Sequence, residues 1–241
     1  MWTRGFSDPY LLIKSIIGVN IAIYLISLLL SAKGLGLALN PLTFLSPSGR
    51  ILELMGATGR VPIDAAQRYW TLVSANYLHG SVLHILFNMV AFWQLGLLAA
   101  REYGPYRMFI IYTLGGVAGF FVSYLAGVPW TIGASASVLS LAGALLYYGK
   151  SRGGVYGRTI YKQIVIWVII LFIFGILVPI INNWGHAGGI AAGIGLGFLL
   201  GYQERKKETV FHKLLAGGLA VLTLLILSWA VVSGVYYRFL G

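Results

Sequence analysis

The sequence contains no cysteine, and only 10% of its 241 residues are charged. Without cysteine the chain forms no disulfide and no thiolate metal site, and its composition carries no sign of a redox compartment. Hydrophobic residues make up 59% of the chain, and the mean hydropathy is +0.84. So few polar residues cannot cover the surface of a soluble globule. The composition therefore predicts a protein whose main solvent is the lipid bilayer.

Acidic residues are scarcer than basic ones: six Asp and Glu stand against 17 Lys and Arg, which gives a net charge of +11. In a soluble protein this excess would suggest a nucleic-acid partner. In a membrane protein, loops that face the cytoplasm and its anionic lipids account for it. We therefore expect the lipid bilayer, and no nucleic acid, as a partner.

Long apolar stretches separated by short polar breaks recur along the chain. A helix that crosses a hydrocarbon core of roughly 30 Å needs about 20 apolar residues, whereas barrel strands would be shorter and would alternate with period 2. The pattern predicts an all-α polytopic membrane protein that forms a single membrane domain over residues 1–241. The predicted spans are 11–32, 82–100, 108–126, 135–148, 164–181, 187–202 and 214–237.

The distribution of Lys and Arg along these spans predicts the orientation. If the N-terminus is cytoplasmic, twelve of the basic residues fall on inside segments and five on outside ones. Because cytoplasmic segments carry the excess of Lys and Arg, we expect a multi-pass protein of the cell membrane with its N-terminus in the cytoplasm and its C-terminus outside. The five outside residues are Lys33, Arg50, Arg60, Arg68 and Arg238.

Two segments depart from a simple pattern of hairpins. Residues 33–77 mix turn signals with apolar clusters, which predicts short amphipathic helices in the membrane interface. The fourth span is unusually short, because only about 14 residues separate Ser135 from the basic Lys150. Ser135 is therefore predicted to lie below the outer surface, in a cavity that opens outward.

Several polar side chains fall inside the predicted spans, where polar residues are costly and often functional. His84 and Asn88 are four residues apart and share one helix face, whereas His79 is assigned a structural role. His186 begins the sixth span and is followed by a stripe that lets a neighbouring helix approach closely. That stripe consists of Gly189, Gly193, Gly197 and Gly201. The small residues after Ser135 make the fourth span the expected neighbour, which brings Ser135 and His186 within reach of each other.

A serine beside a histidine has a chemical meaning, because the imidazole can accept the hydroxyl proton and create a nucleophile. Acyl transfer also needs donors for the developing oxyanion, and His84, Asn88 and the backbone N–H of Ser135 are available. From the residues alone, a hydrogen bond between helices is the more common role of such side chains. No acidic residue is expected to orient the imidazole, because all carboxylates fall in polar segments: Asp8, Glu53, Asp64, Glu102, Glu204 and Glu208.

Three segments resemble the signature motifs of rhomboid intramembrane serine proteases in order and spacing. They are residues 79–88 (HGSVLHILFN), 133–135 (GAS) and 184–189 (WGHAGG), within a resemblance over roughly 69–201. The resemblance implies a six-helix core over about 10–203, with residues 214–237 as an extra C-terminal transmembrane helix.

The same resemblance implies a Ser-His dyad, with Ser135 as nucleophile and His186 as general base, and with His84 and Asn88 at the oxyanion positions. The implied activity is endopeptidase cleavage of transmembrane protein substrates. It implies no metal and no organic cofactor.

The sequence also departs from the family pattern at named positions. Ala136 stands where the family usually has glycine, and Leu139 stands where it usually has an aromatic residue, so His186 would lack that stacking partner. In the first loop the usual Trp-Arg pair is replaced by Trp70 and Thr71, which puts the anchoring of this loop in question.

Two alternatives accompany the protease hypothesis. Ala136 and Leu139 are compatible with a catalytically inactive rhomboid-like protein that binds membrane proteins. A transporter or channel is disfavoured, because the sequence has no internal repeat and no predicted intramembrane carboxylate. Ser137 is a second candidate nucleophile, but it falls outside the motif register.

Overall fold

The computed structural model describes residues 7–31, 43–178 and 181–239. Over these residues the chain forms ten α-helices and a 3-10 turn at Ala75–Tyr77, and Thr58 and Thr131 form an isolated β-bridge. The helices are α1 (Pro9–Leu30), α2 (Gly49–Leu54), α3 (Arg60–Ala66), α4 (Thr71–Ser74), α5 (Val82–Tyr103), α6 (Pro105–Leu125), α7 (Ser135–Arg152), α8 (Gly154–Leu177), α9 (Asn183–Leu200) and α10 (Val210–Phe239).

Five of these helices, α1, α5, α6, α8 and α10, are long and apolar enough to cross a membrane. The two other long helices, α7 and α9, have 18 residues each and are interrupted by serine and glycine. Their small and polar residues face neighbouring helices, as the buried positions along α7 show. The prediction of an all-α, multi-pass membrane protein is confirmed.

The boundaries of the fourth and fifth spans were predicted wrongly. The helix that begins at Ser135 does not end near residue 148 but continues to Arg152, so its length is about 27 Å. Lys150 and Arg152 lie in its last turn, where the helix dipole favours positive charge. The fifth span begins at Gly154, not residue 164, and ends at Leu177, whereas the end of the first span at residue 32 lies outside the described residues.

Helix α9 packs into the centre of the molecule, against α6 and α7. Gly189 and Gly193 lie against the backbone carbonyls of Ala136 and Ser140, so a Cβ at either glycine would overlap with α7. Gly143 of α7 lies in the same way against the carbonyl of Ile190. The glycine stripe therefore brings the two backbones into contact, as its spacing predicts.

Helix α10 packs along α6 and reaches the first loop at its C-terminal end. There Gly234 lies beside Met55 and Leu30, and the Arg238 guanidinium donates to the Leu30 carbonyl at 3.1 Å. Just before the N-terminal end of α10, the Glu208 carboxylate accepts a hydrogen bond from the backbone N–H of Arg107 at 2.9 Å. Helices α1 and α10 therefore end on the same side of the bundle, which requires an odd number of crossings.

The first loop contains three short helices, α2, α3 and α4, and its residues 33–42 lie outside the described part of the chain. Thr58 forms a two-way backbone bridge with Thr131, and its hydroxyl accepts from Thr71 at 2.9 Å. Thr131 lies just before α7. The loop is therefore attached to the segment that leads into Ser135, and Thr71 contributes to that attachment directly.

Candidate active site

A cavity of about 700 Å³ opens between the first loop and the ends of α5, α7, α8 and α9. Its walls are mostly apolar, and the polar groups among its lining residues include all four predicted site residues. These are His84, Asn88, Ser135 and His186. In a membrane protein, irregular backbone is tolerated where it lines such a cavity and is covered by protein.

Ser135 and His186 come from different helices and meet in this cavity. Ser135 is the first residue of α7, and His186 lies in the first turn of α9. The Ser135 Oγ is 2.9 Å from the His186 Nε2, within hydrogen-bonding distance. The His186 Nδ1 is buried without a hydrogen-bond partner among the described residues. The two side chains therefore form a hydrogen-bonded Ser-His pair, and no carboxylate of the described residues is bonded to the imidazole.

The ring of His84 presents its Nε2 towards the segment that precedes Ser135. Its Nδ1 accepts from the Gly80 backbone N–H at 3.3 Å, which assigns the proton of the neutral ring to Nε2. A Cβ at Gly133 would lie 2.6 Å from that nitrogen, so only glycine fits there. The fully buried His79 contacts His84 edge-on at 5.1 Å between ring centroids, consistent with a structural role. His84 is thus a fixed N–H donor beside the serine.

Asn88 lies one turn further along α5 and also lines the cavity. Its side-chain N–H donates to the His84 carbonyl at 2.8 Å, and the second N–H of the same amide is left for another acceptor. The backbone N–H of Ser135 belongs to the first turn of α7, whose N–H groups have no partner within the helix. Three N–H donors from two helices are therefore available in the cavity that Ser135 lines.

Comparison with known protein families shows which family this chain belongs to. The family model described as the Rhomboid domain matches residues 66–203, a range that includes all four of these cavity residues. The chain belongs to the rhomboid family.

Relatives within the family differ in the activity that their names describe. Rhomboid protease GluP of Bacillus subtilis (strain 168) is 34% identical over 140 residues, which is 58% of this chain and 28% of that protein. RHOMBOID-like protein 4 of Arabidopsis thaliana is 32% identical over 163 residues, 67% of this chain and 41% of that protein. Inactive RHOMBOID-like protein 8 of the same plant is 30% identical over 169 residues, 66% of this chain and 47% of that protein. The matched segment thus spans less than half of these relatives, and membership alone does not decide activity.

Ala136, which replaces the glycine usual in rhomboids, does not line the cavity. It is fully buried on the opposite side of α7, where its Cβ faces Gly119 of α6 and its carbonyl faces Gly189 of α9. Ser137 also faces away from the cavity and donates to the Asn76 side-chain oxygen at 2.8 Å. Of the Ser135 and Ser137 hydroxyls, only that of Ser135 contacts a histidine.

Leu139, which replaces the aromatic residue usual in rhomboids, lines the cavity one turn after Ser135. The His186 ring instead has an aromatic neighbour on α8: Phe172 approaches it edge-on, with 6.5 Å between ring centroids. The sequence motifs do not include this residue, because it reaches His186 only through the packing of α8 against the dyad.

Asn182 is the site residue that the sequence motifs missed. It caps α9 by accepting from the Gly185 N–H at 3.0 Å, four residues before His186. Its amide also donates to Thr131 at 2.9 Å and to the hydroxyl of Ser123. Asparagine just before a helix is a known capping signal, but the contacts with α6 and with the segment before Ser135 depend on the tertiary structure.

Proposed function

We propose that this rhomboid is an intramembrane serine endopeptidase that cleaves transmembrane protein substrates with the Ser135–His186 dyad. The observation that carries the proposal is the 2.9 Å separation of the Ser135 Oγ and His186 Nε2 in a cavity bordered by N–H donors. Nucleophile, base and oxyanion donors are the three components that acyl transfer needs.

The reaction follows from the roles of these groups. The Nε2 of His186 accepts the hydroxyl proton as the Ser135 Oγ attacks a substrate carbonyl carbon. The carbonyl oxygen becomes an oxyanion that accepts hydrogen bonds from His84, Asn88 and the Ser135 backbone N–H. The protonated imidazole then gives its proton to the leaving amine, and the peptide C–N bond breaks. A water molecule, deprotonated by His186, releases the acyl group and restores the serine.

The cavity walls support a substrate that is itself a membrane segment. Phe87 and Ala91 of α5 and Leu171 and Phe174 of α8 are apolar residues of its walls, and Phe87 and Phe174 are also exposed. A transmembrane helix unwound near its end can pass from lipid between these walls to the dyad. We propose a cell-membrane location in which the N-terminus faces the cytoplasm and the cavity opens outward, as the Lys and Arg distribution predicts.

A second candidate is an inactive rhomboid that binds membrane proteins, which the similarity to Inactive RHOMBOID-like protein 8 supports. The two candidates differ in what the serine does. An inactive binding protein retains its ligand when Ser135 is replaced, and its native form shows no hydrolysis and no reaction with serine-directed reagents.

The deciding experiment compares Ser135→Ala with Ser137→Ala, because both remove one hydroxyl from the same helix. The purified protein in lipid nanodiscs is incubated with single-span substrates and, separately, with a fluorophosphonate probe. We expect the native protein and Ser137→Ala to cleave and to be labelled, and Ser135→Ala and His186→Ala to do neither. Cleavage that survives Ser135→Ala, or a native protein that neither cleaves nor is labelled, contradicts the proposal.

A further inference from the structure

Five of the six carboxylates of the chain have a clear partner. Asp8 caps α1, Asp64 pairs with Arg60, Glu102 accepts from Tyr156, Glu204 pairs with Arg152, and Glu208 pairs with Arg107. Glu53 is the exception: its carboxylate has no ion pair or hydrogen bond with any described residue. Among the described residues, Glu53 is thus an acidic side chain without a cation.

Glu53 lies in the wall of the same cavity that contains the dyad. It belongs to α2, and its side chain is exposed. The neighbouring Leu52 of the same helix also lines the cavity. The remaining described residues that line the cavity are uncharged when their histidines are neutral. Arg50, on the same short helix, does not line the cavity. Glu53 therefore supplies the formal negative charge of this cavity.

The helix that carries Glu53 is held at both ends. At its start the Ser48 N–H donates to the Ser31 hydroxyl at 3.0 Å, and at its end the fully buried Met55 packs against Gly234 of α10. The next carbonyl, that of Gly56, accepts from Ser74 at 2.9 Å. A carboxylate on an anchored helix loses less conformational freedom when it binds a partner than one on a loose loop does.

We propose that Glu53 forms a subsite for a lysine or arginine side chain of the substrate, near its scissile bond. The inference rests on the proposed protease function. Apolar walls strengthen the field of a single charge in a cavity, and the long stems of lysine and arginine reach from apolar surface to a charged group. One carboxylate offers too few oxygen ligands for a divalent cation such as calcium. Because basic residues are rarer outside than inside, such a subsite selects few substrates.

The test separates binding from cleavage. A set of single-span peptides carries Lys, Gln or Glu at successive positions on both sides of the cut site. Affinity is measured with the Ser135→Ala protein in neutral-lipid nanodiscs, and kcat/KM is measured with the serine intact. Each measurement is repeated with Glu53→Gln and Glu53→Lys, and with Asp64→Asn as the control. Asp64 is another carboxylate of the first loop, but it does not line the cavity.

We expect one peptide position at which the Lys peptide binds about 2- to 5-fold more tightly than the Gln peptide. The preference disappears in Glu53→Gln, reverses towards Glu in Glu53→Lys, persists in Asp64→Asn and weakens with added salt. An affinity ranking that is unchanged by both Glu53 substitutions at every position overturns the inference. A cation preference in binding without any cleavage by the native serine supports the subsite and contradicts the protease function, so the two failures are distinguishable.

Discussion

Gly189 of α9 lies directly against the backbone carbonyl of Ala136, the residue that follows Ser135. His186 is three residues before Gly189, so the distance between the serine and the imidazole depends on how closely these two helices approach. The dyad is therefore a product of helix packing as much as of the two side chains themselves.

The first prediction concerns this contact. Gly189→Val places a side chain against the α7 backbone and separates the helices, at a cost of about 1 to 3 kcal/mol for overpacking. We expect a lower thermal unfolding temperature and a labelling of Ser135 that is slower by about fivefold or more, because the separated helices no longer hold the hydroxyl against the imidazole. The control is Gly195→Val in the same helix, where a Cβ meets no atom within 4 Å. Equal effects of the two substitutions contradict the prediction.

The second prediction concerns the oxyanion donors. His84→Ala removes the N–H that lies beside Gly133, and we expect kcat to fall about 100-fold with little change in KM, because the proposed donor acts on charge that develops in the transition state. Leu86→Ala is the control, since Leu86 is on the same helix, is 50% exposed and does not line the cavity. An increase in KM at native kcat would assign His84 to substrate binding instead.

The third prediction concerns Asn182. Asn182→Ala removes the cap of α9 and the contacts with Ser123 and Thr131, whereas Asn182→Asp retains the capping oxygen. We expect both substitutions to lower kcat about tenfold through a less constrained His186. Only the alanine substitution also loses the capping contribution, about 1 kcal/mol of stability. Native kinetics in both variants would show that Asn182 is not needed to position the imidazole.

The fourth prediction concerns the pH dependence of stability at the opposite end of the bundle. Burial raises the pKa of the Glu208 carboxyl above its ordinary value, although the backbone N–H and guanidinium of Arg107 partly oppose this shift. A raised folded-state pKa means that the folded protein binds this proton more tightly than the unfolded chain does. Stability therefore falls as the pH rises from the ordinary glutamate range through the folded pKa.

Thermal unfolding of the native protein and of Glu208→Gln, compared from pH 4 to 7, checks this sign. The glutamine variant lacks this titration, so the native protein should lose stability relative to it as the pH rises. Two curves that remain parallel over the range refute the assignment.

The fifth prediction concerns Arg107, which is fully buried and donates to the Leu200 and Gly201 carbonyls at the end of α9. Arg107→Met leaves these carbonyls without their donor and leaves Glu208 without its cation. We expect a loss of about 3 kcal/mol in the free energy of unfolding, and partial recovery in the double variant with Glu208→Gln. Full additivity of the two substitutions would mean that the pair is not coupled.

Much of the candidate site was predictable because it depends on the spacing of residues along single helices. The four-residue spacing places His84 and Asn88 on one face of α5, and the glycine stripe after His186 predicts close contact with α7. The start of α7 at Ser135 also agrees with the motif. These features follow from helical geometry, which is set by sequence spacing alone.

The length of the fourth span was not predictable from hydropathy. A basic residue in an apolar sequence suggests the end of a membrane helix, yet Lys150 and Arg152 extend α7 because their long side chains suit its last turn. The position of the Ala136 methyl group was equally open. Its direction depends on which side of α7 faces the cavity, and the packing of α6 and α9 decides this.

The sequence by itself determined the fold class, the number of long helices and the residues that belong to the motifs, because apolar length and periodicity act locally along the chain. Only the tertiary structure decided that Ser135 and not Ser137 meets His186, that Phe172 approaches the imidazole, and that Glu53 lines the cavity. These relationships join atoms on different helices, and their distances are set by side-chain volumes across whole helix interfaces.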